Sequence, residues 1–348
     1  MNNSPETTLT PSPPSPDATA RRRNPYLAFA LRAGAGVAVV TVILWRVDAR
    51  PVFHALASER FGWFGAAIAI YLAGQAISTW RWRLLAGLNA IDGPFHEYLA
   101  YYFVGMFTNL FVPGLIGGDA ARALYLGRRH NRIGAAVASV VYDRGIGLAA
   151  LFWFAAAAAL TIRTIALPAA LTRAVWLAGA LTFAGWLASP LIGRAATNLG
   201  GRAGRFVEPI LPYLRRPLAT VPAIILSLVL QASIAAAQFL IARGLGLPTP
   251  LAAFMLCVPI ANVVASLPVT LNGLGVREAA YLILFGYAGV ARPDAIALGL
   301  LWFAATTLGG MTGVVAFITT RLPTPDDYDS TFTPFAVSAG DSTMQNRR

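Results

Sequence analysis

Two clusters of glycine and charge stand inside otherwise apolar sequence. The first is "TNLFVPGLIGGDAARALYL", with Asn109, Pro113, Gly117, Gly118, Asp119 and Arg122. The second is "ANVVASLPVTLNGLGVREAAYL", with Asn262, Pro268, Asn272, Gly273, Gly275, Arg277 and Glu278. A glycine-rich turn frees backbone N–H groups, a helix start adds partial positive charge, and a following arginine adds a planar cation. Together these suit a phosphate or another anion. Asp119 fits beside an anion only if it holds Arg122 in place or binds a cationic part of the ligand. The plain alternative is that Asp119 caps a helix and pairs at the surface with Arg122, three residues on. Arg277 and Glu278 have a plain alternative too, as a polar turn at a membrane interface. Asn109 and Asn262 each precede a break, where an amide can satisfy loosened backbone or touch a ligand head group; backbone satisfaction is the expected role.

Asp143 and Arg144, in "VVYDRGIG", lie about ten residues into an apolar run, about 14 Å along a helix axis. At mid-bilayer either charge alone costs about 2.5–3.5 kcal/mol on the insertion scale. Adjacent helix residues do not face each other, so each needs a partner elsewhere. Arg122 for Asp143 and Asp119 for Arg144 are the natural choices. Such pairs either line a working site or lock two segments together.

Enzyme chemistry finds little support. Zinc-protease H-E-x-x-H is absent, as is a G-x-S-x-G elbow. "GGDAARA" superficially resembles the D-G-x-x-A-R start of CDP-alcohol phosphotransferases. The glycine stands on the wrong side of Asp119, however, and the further aspartate pair is missing. Asp143 alone cannot complete a site that wants several oxygen ligands. His96 beside Glu97 is a single pair. No catalytic residue, metal site or cofactor is expected.

The elements that must position these residues are membrane helices. The chain has 348 residues, of which 57% are hydrophobic and 12% charged, with mean hydropathy +0.61. A soluble domain carries about twice that charged fraction. β-barrel spans would alternate apolar and polar residues, which these runs do not. The reading is an all-α polytopic membrane protein. The net charge is +12 and contains no lysine. It points to positive-inside loops and anionic lipid; no soluble part remains to hold nucleic acid. The single Cys257 has no internal disulfide partner. Residues 1–24 and 322–348 read as disordered tails around a transmembrane domain at 25–321.

Clear spans fall at about 26–46, 61–80, 134–160, 174–193, 219–242 and 294–318. Two apolar regions, 96–120 and 250–291, are broken by Pro and Gly. Arg81 and Arg83, with Trp80 and Trp82, read as an interfacial belt. If 96–120 crossed fully, Arg122, Arg128, Arg129 and Arg132 would face outside, against the positive-inside tendency. If it dips in and returns, they stay inside. Each half, about 25–165 and 170–321, then reads span, span, re-entrant broken segment, span, with opposite orientation. Pro113 to Tyr125 is 12 residues and Pro268 to Tyr281 is 13. Six full spans plus two re-entrant segments in an inverted repeat is the expected fold; eight full spans is its rival. Matching broken helices in inverted halves point to a transport site at the repeat interface.

In three ordered motifs the chain resembles the lysylphosphatidylglycerol synthase transmembrane-domain family of flippase-like proteins. These are N-x-x-x-P-x-x-x-G-G-D-x-x-R from Asn109 to Arg122, an acid–Arg pair at Asp143 and Arg144, and P-x-x-x-x-G-x-G-x-R-E from Pro268 to Glu278. Asp143 stands where Glu is common, which keeps the charge. The resemblance covers about 26–320. It implies a protein that moves a lipid between leaflets of a bacterial inner membrane; the arginines at 21–23 and in the later loops place both termini on the cytoplasmic side. The lipid is an anionic or modified phospholipid, a prenyl-phosphate-linked lipid or a related envelope lipid. Only a short tail follows residue 320, so the aminoacyl-transferase domain of a full synthase is not expected. The other readings are a lipid-phosphate-modifying enzyme and a non-transporting partner of an envelope lipid enzyme.

Overall fold

A computed structural model describes residues 49–57, 59–111, 116–197, 207–265 and 275–321, and single positions at 41, 201 and 204. Among these the chain is helical throughout, with no sheet. The helices are α1 (Ala49–Ala57), α2 (Phe61–Gly87), α3 (Phe95–Phe111), α4 (Ile116–Arg129), α5 (Ile133–Thr161), α6 (Ala169–Ala196), α7 (Leu211–Arg215), α8 (Val221–Gly244), α9 (Leu251–Ala265), α10 (Val276–Leu284), α11 (Arg292–Met311) and α12 (Gly313–Thr319).

Among the described residues, five segments are long and apolar enough to cross a membrane: Phe61–Gly87, Ile133–Thr161, Ala169–Ala196, Pro217–Gly244 and Arg292–Thr319. They coincide with five of the six expected spans. The span at 26–46 and both tails lie outside the described residues. The surface agrees with this reading. On α6, Leu177, Leu181, Leu187 and Leu191 are exposed, a stripe suited to acyl chains and not to water. The chain is a multi-pass membrane protein.

Helices α2 and α8 form the centre of the bundle and run antiparallel. Arg81 near the end of α2 reaches Ser227 near the start of α8, and Gly244 at the end of α8 meets Glu59 just before α2. Small residues allow the approach, as in membrane helices generally. A Cβ on Gly74 would lie 3.0 Å from Leu230 Cδ1, and Ala67, Ala235, Ala237 and Ala242 are buried in the largest core cluster. Helix α5 packs on α2, α8 and α9, while α11 packs on α2, α3, α8 and α10.

The first broken region is two helices folded back on each other. The Tyr101 and Tyr125 rings sit 5.4 Å apart, and Glu97 lies 3.8 Å from Arg129. Near the turn the backbones almost touch: a Cβ on Gly118 would lie 2.1 Å from Gly105 O. The turn itself, 112–115, is outside the described residues. The second region contains α9 and α10, packed together; the segment between them, 266–274, with Asn272 and Gly273, is likewise outside.

The belt reading is corrected for half of its members. Helix α2 continues to Gly87, and its last turns point Arg81 and Trp82 into the protein, 6% and 0% exposed, while Trp80 stays exposed. Helical geometry separates neighbours by about 100°, so one turn carries both kinds of residue.

Candidate functional site

The site is built from the hairpin upward. Gly118 has no side chain, so α3 and α4 come close enough for Asn109 Oδ1 to accept its N–H at 2.7 Å. That amide satisfies a backbone donor at the start of α4, where the helix has none of its own. Asp119 therefore sits inside the first turn of α4 and not at the capping position. Its carboxylate is left for side chains.

Those side chains are guanidinium groups, joined in one alternating chain. Arg81 Nε donates to Asp143 Oδ1 at 2.7 Å. Arg122 Nη1 and Nη2 donate to Asp143 Oδ2 at 3.2 and 3.1 Å. Arg122 Nη2 also lies 3.0 Å from Asp119 Oδ1. Arg144 closes on Asp119 with two bonds, Nε to Oδ2 at 2.6 Å and Nη2 to Oδ1 at 2.9 Å. Five helices thus contribute to one cluster: α2, α4 and α5 supply the charges, α3 the amide that seats α4, and α8 the Ser227 hydroxyl that accepts from Arg81. Asp143 and Arg144 point apart and find the partners their spacing calls for.

Burial runs in one direction along this chain. Asp143 and Arg122 are 1% and 3% exposed, whereas the Arg144 side chain is 49% exposed. Arg122 also lies over the rings of Trp82 and Tyr102, at 5.1 and 5.2 Å, a cation–π cage that compensates for lost water. Three arginines against two aspartates leave one net positive charge. It is accessible only at Arg144.

The second centre is smaller. Gly275 takes φ +82 at the start of α10, a left-handed value that glycine adopts without cost, and its N–H donates to Glu278 Oε2. Arg277 follows, half-buried, with a buried Nε that meets no acceptor. Tyr281 O–H bonds Gln238 of α8. Asn262 is half-buried near the end of α9. The Tyr71 ring of α2 packs edge-on to Trp302 of α11 at 5.6 Å. Gly117 lies in the first turn of α4.

Sequence reasoning missed Arg81, Ser227 and Gln238. Their signal is spacing. Ser227, Gln231 and Gln238 recur on α8 at intervals of four and seven residues, one face of a helix, inside the most apolar span. Outside the spans, burial lowers the affinity of His130 for a proton, although Glu97 works against it. Burial also pushes the Glu59 carboxyl up to about 7. Among the described residues, no three His, Cys, Asp or Glu side chains converge as metal ligands.

Residues 30–312 match the family model described as the lysylphosphatidylglycerol synthase TM region. No curated protein matches the chain.

Proposed function

The chain belongs to the lysylphosphatidylglycerol synthase TM region family, and from that premise we propose that it moves an anionic lipid between the two leaflets of a bacterial inner membrane. The observation that carries this reading is the ion-pair chain ending at Arg144. A cluster with one surplus positive charge, buried at one end and open at the other, is a ready receptor for a phosphate head group. Asp119 presets the Arg144 guanidinium in a two-point geometry that a phosphate can adopt in its place. Asp119 keeps Arg122 when that exchange occurs, so neither acid nor base is left buried alone.

The supports for re-entrant segments are lengths and directions. Helix α3 spans about 25 Å and α4 about 21 Å at the helical rise, both short of a roughly 30 Å hydrocarbon core. The hairpin brings Phe95 and Arg129 to the same end. Arg128, Arg129 and Arg132 cluster there, which favours the cytoplasmic side. The helix contacts are consistent with two inverted halves. Helix α5 touches α2 of its own half and α8 of the other, and α11 touches α8 of its own half and α2 of the other. We read the protein as a carrier and not an enzyme. An envelope lipid enzyme is its natural partner as a source of lipid.

The test is reconstitution into phosphatidylcholine vesicles that contain phosphatidylglycerol with a fluorescent acyl chain. A membrane-impermeant reductant bleaches the outer leaflet and reports exchange. Protein vesicles should lose fluorescence beyond the outer-leaflet share, and Arg144→Gln should slow that phase. Folded wild-type protein that leaves exchange at the protein-free rate, across phosphatidylglycerol and prenyl-phosphate probes, refutes the reading.

A further inference from the structure

The second centre contains polar atoms to which lipid movement alone assigns no task. Glu278 is wholly buried. Its Oε2 caps the start of α10 through Gly275. Its Oε1 faces Gly299 of α11, where a Cβ would lie 3.2 Å away, and meets no donor. Beside it, Arg277 Nε is buried without an acceptor, and Gln238 Nε2, also in a wholly buried side chain, has none either. An ionised carboxylate is not held in such surroundings. Out of water it requires a counter-charge and several hydrogen bonds, and among the described residues this one is bonded only by neutral backbone N–H groups, with Oε1 left without a donor. The first centre shows the contrast: both Asp143 oxygens are bonded to arginines.

The groups around Glu278 are few. Helix α9 offers Cys257, whose thiol bonds Leu284 O, and the neutral Asn262, half-buried near its end. Helix α11 offers Gly299 and Trp302 at this level; its charged residues, Arg292 and Asp294, stand in its first turn, with Asp294 about 7 Å along the axis from Gly299. Helix α8 offers the neutral Gln238, with Arg243 at its far end over Phe239. Helix α2 offers Tyr71, and α10 itself Arg277 and Tyr281. The turn after α10 offers Tyr287, which is exposed. Arg277 is the one cation next to the carboxyl among the described residues.

We propose that Glu278 is a proton-binding carboxyl, and that its proton is taken up and released together with the anionic head group held by Arg277. The inference rests on the lipid-moving reading and gives it an energy source. With Glu278 protonated, Arg277 is an uncompensated cation and accepts a phosphate. With Glu278 ionised, the pair sums to zero and the anion is released. Linkage makes the effect reciprocal: bound anion raises proton affinity as much as bound proton raises anion affinity. Strict one-to-one coupling would redistribute the lipid between leaflets by about tenfold per pH unit across the membrane.

Two measurements test this. The first is infrared difference spectroscopy, between acid and alkaline buffer, of the protein in phosphatidylcholine nanodiscs. Wild type should show the carbonyl band of a buried protonated carboxylic acid, which Glu59→Gln keeps and Glu278→Gln loses. Glutamine still offers an oxygen to Gly275, so α10 keeps its cap. Should that variant fail to fold, Gly299→Ala serves instead. Its Cβ would press on Glu278 Cγ at 3.0 Å and should shift the band and its titration. A spectrum indifferent to these changes overturns the proton site. The second measurement imposes a pH gradient on vesicles with fluorescent phosphatidylglycerol. Wild type should follow the gradient, and Glu278→Gln should exchange lipid without following it. Wild type that exchanges lipid with no response to the gradient overturns the coupling. Wild type that exchanges no lipid overturns the function proposed above and the coupling with it, while the infrared band still decides the proton site.

Discussion

Asp143→Asn is the most informative single change, because Asp143 is the hub of the ion-pair chain. It accepts from Arg81 on one oxygen and from Arg122 on the other. Without its charge the cluster rises from one net positive charge to two. Arg122 keeps Asp119 at 3.0 Å, but Arg81 keeps only the Ser227 hydroxyl, also at 3.0 Å, and is 6% exposed. Breaking a buried pair from one side costs about 3–5 kcal/mol. For a chain of 348 residues that corresponds to roughly 4–7 °C in melting temperature. Arg81→Gln should cost less, about 1–3 kcal/mol, since it leaves Asp143 paired and the cluster neutral. The double variant restores one net charge and should be less damaged than the sum of the singles, with a coupling of about 0.5–3 kcal/mol. The protein carries its own reporter. Cys257 is the only cysteine and is fully buried, so a fluorogenic maleimide follows unfolding in detergent directly. If Asp143→Asn melts with the wild type, or Arg81→Gln proves the worse of the two, the charge arithmetic is wrong.

Other outcomes follow from the same geometry. Gly118→Ala should lower the melting temperature, because its Cβ would meet Gly105 O and the Asn109 amide at 2.1 and 2.6 Å. In a helix free of such contacts the same change stabilises by about 1 kcal/mol, so the sign alone decides. Arg144→Gln should slow lipid exchange while leaving the melting temperature nearly unchanged, since its partner Asp119 retains Arg122; a large loss of stability would make Arg144 structural. Glu59 predicts a pH dependence. Its carboxyl is held at about 7 in the folded chain against an ordinary value of 4.5. Stability is therefore lost as pH rises between those values, where the unfolded chain has released its proton and the folded chain has not. The ceiling is about 3 kcal/mol, reduced in practice by solvent near this loop. Glu59→Gln should flatten the melting curve over that interval and raise it at pH 8; an unchanged slope would assign the effect to another group.

The spans were legible because twenty apolar residues leave a chain few alternatives. The pairs Arg122–Asp143 and Asp119–Arg144 were legible for a related reason: charge inside an apolar helix must find opposite charge, and few residues were on offer. Arg81 was not. It stands in "TWRWR" at the end of a span, where tryptophan and arginine usually mark the interface, and its partner is 62 residues away. Only three-dimensional packing reveals that α2 runs on past Trp80 and turns one arginine inward. Asp119 was misplaced by a turn for a similar reason. Asn109 took over the task of satisfying the start of α4, and that depends on how closely Gly105 and Gly118 approach.

The two centres differ in a way that bears on how an anion would cross. At the first, every acid oxygen has an arginine, and on the proposed reading a ligand would enter by exchange: phosphate would displace one carboxylate from Arg144 while the rest of the cluster stays paired. Such an exchange would neither need nor release a proton. At the second, no carboxylate among the described residues is available to displace, since Glu278 is turned towards Gly299 and Gly275. On the proposed coupling, whether Arg277 is free for an anion would be set by the protonation of its neighbour. A lipid passing from Arg144 to Arg277 would leave a site where it competes with carboxylate for one where it competes with proton loss. Tyr102 lies beneath Arg122, and Tyr71 packs on Trp302 of α11, the helix that also packs on Glu278 through Gly299. Tyr71→Phe keeps the ring against Trp302 and removes only the hydroxyl. If the head group passes there, this change should slow exchange without altering stability or the response to a pH gradient. Loss of the gradient response along with the rate would instead place Tyr71 on the route of the proton.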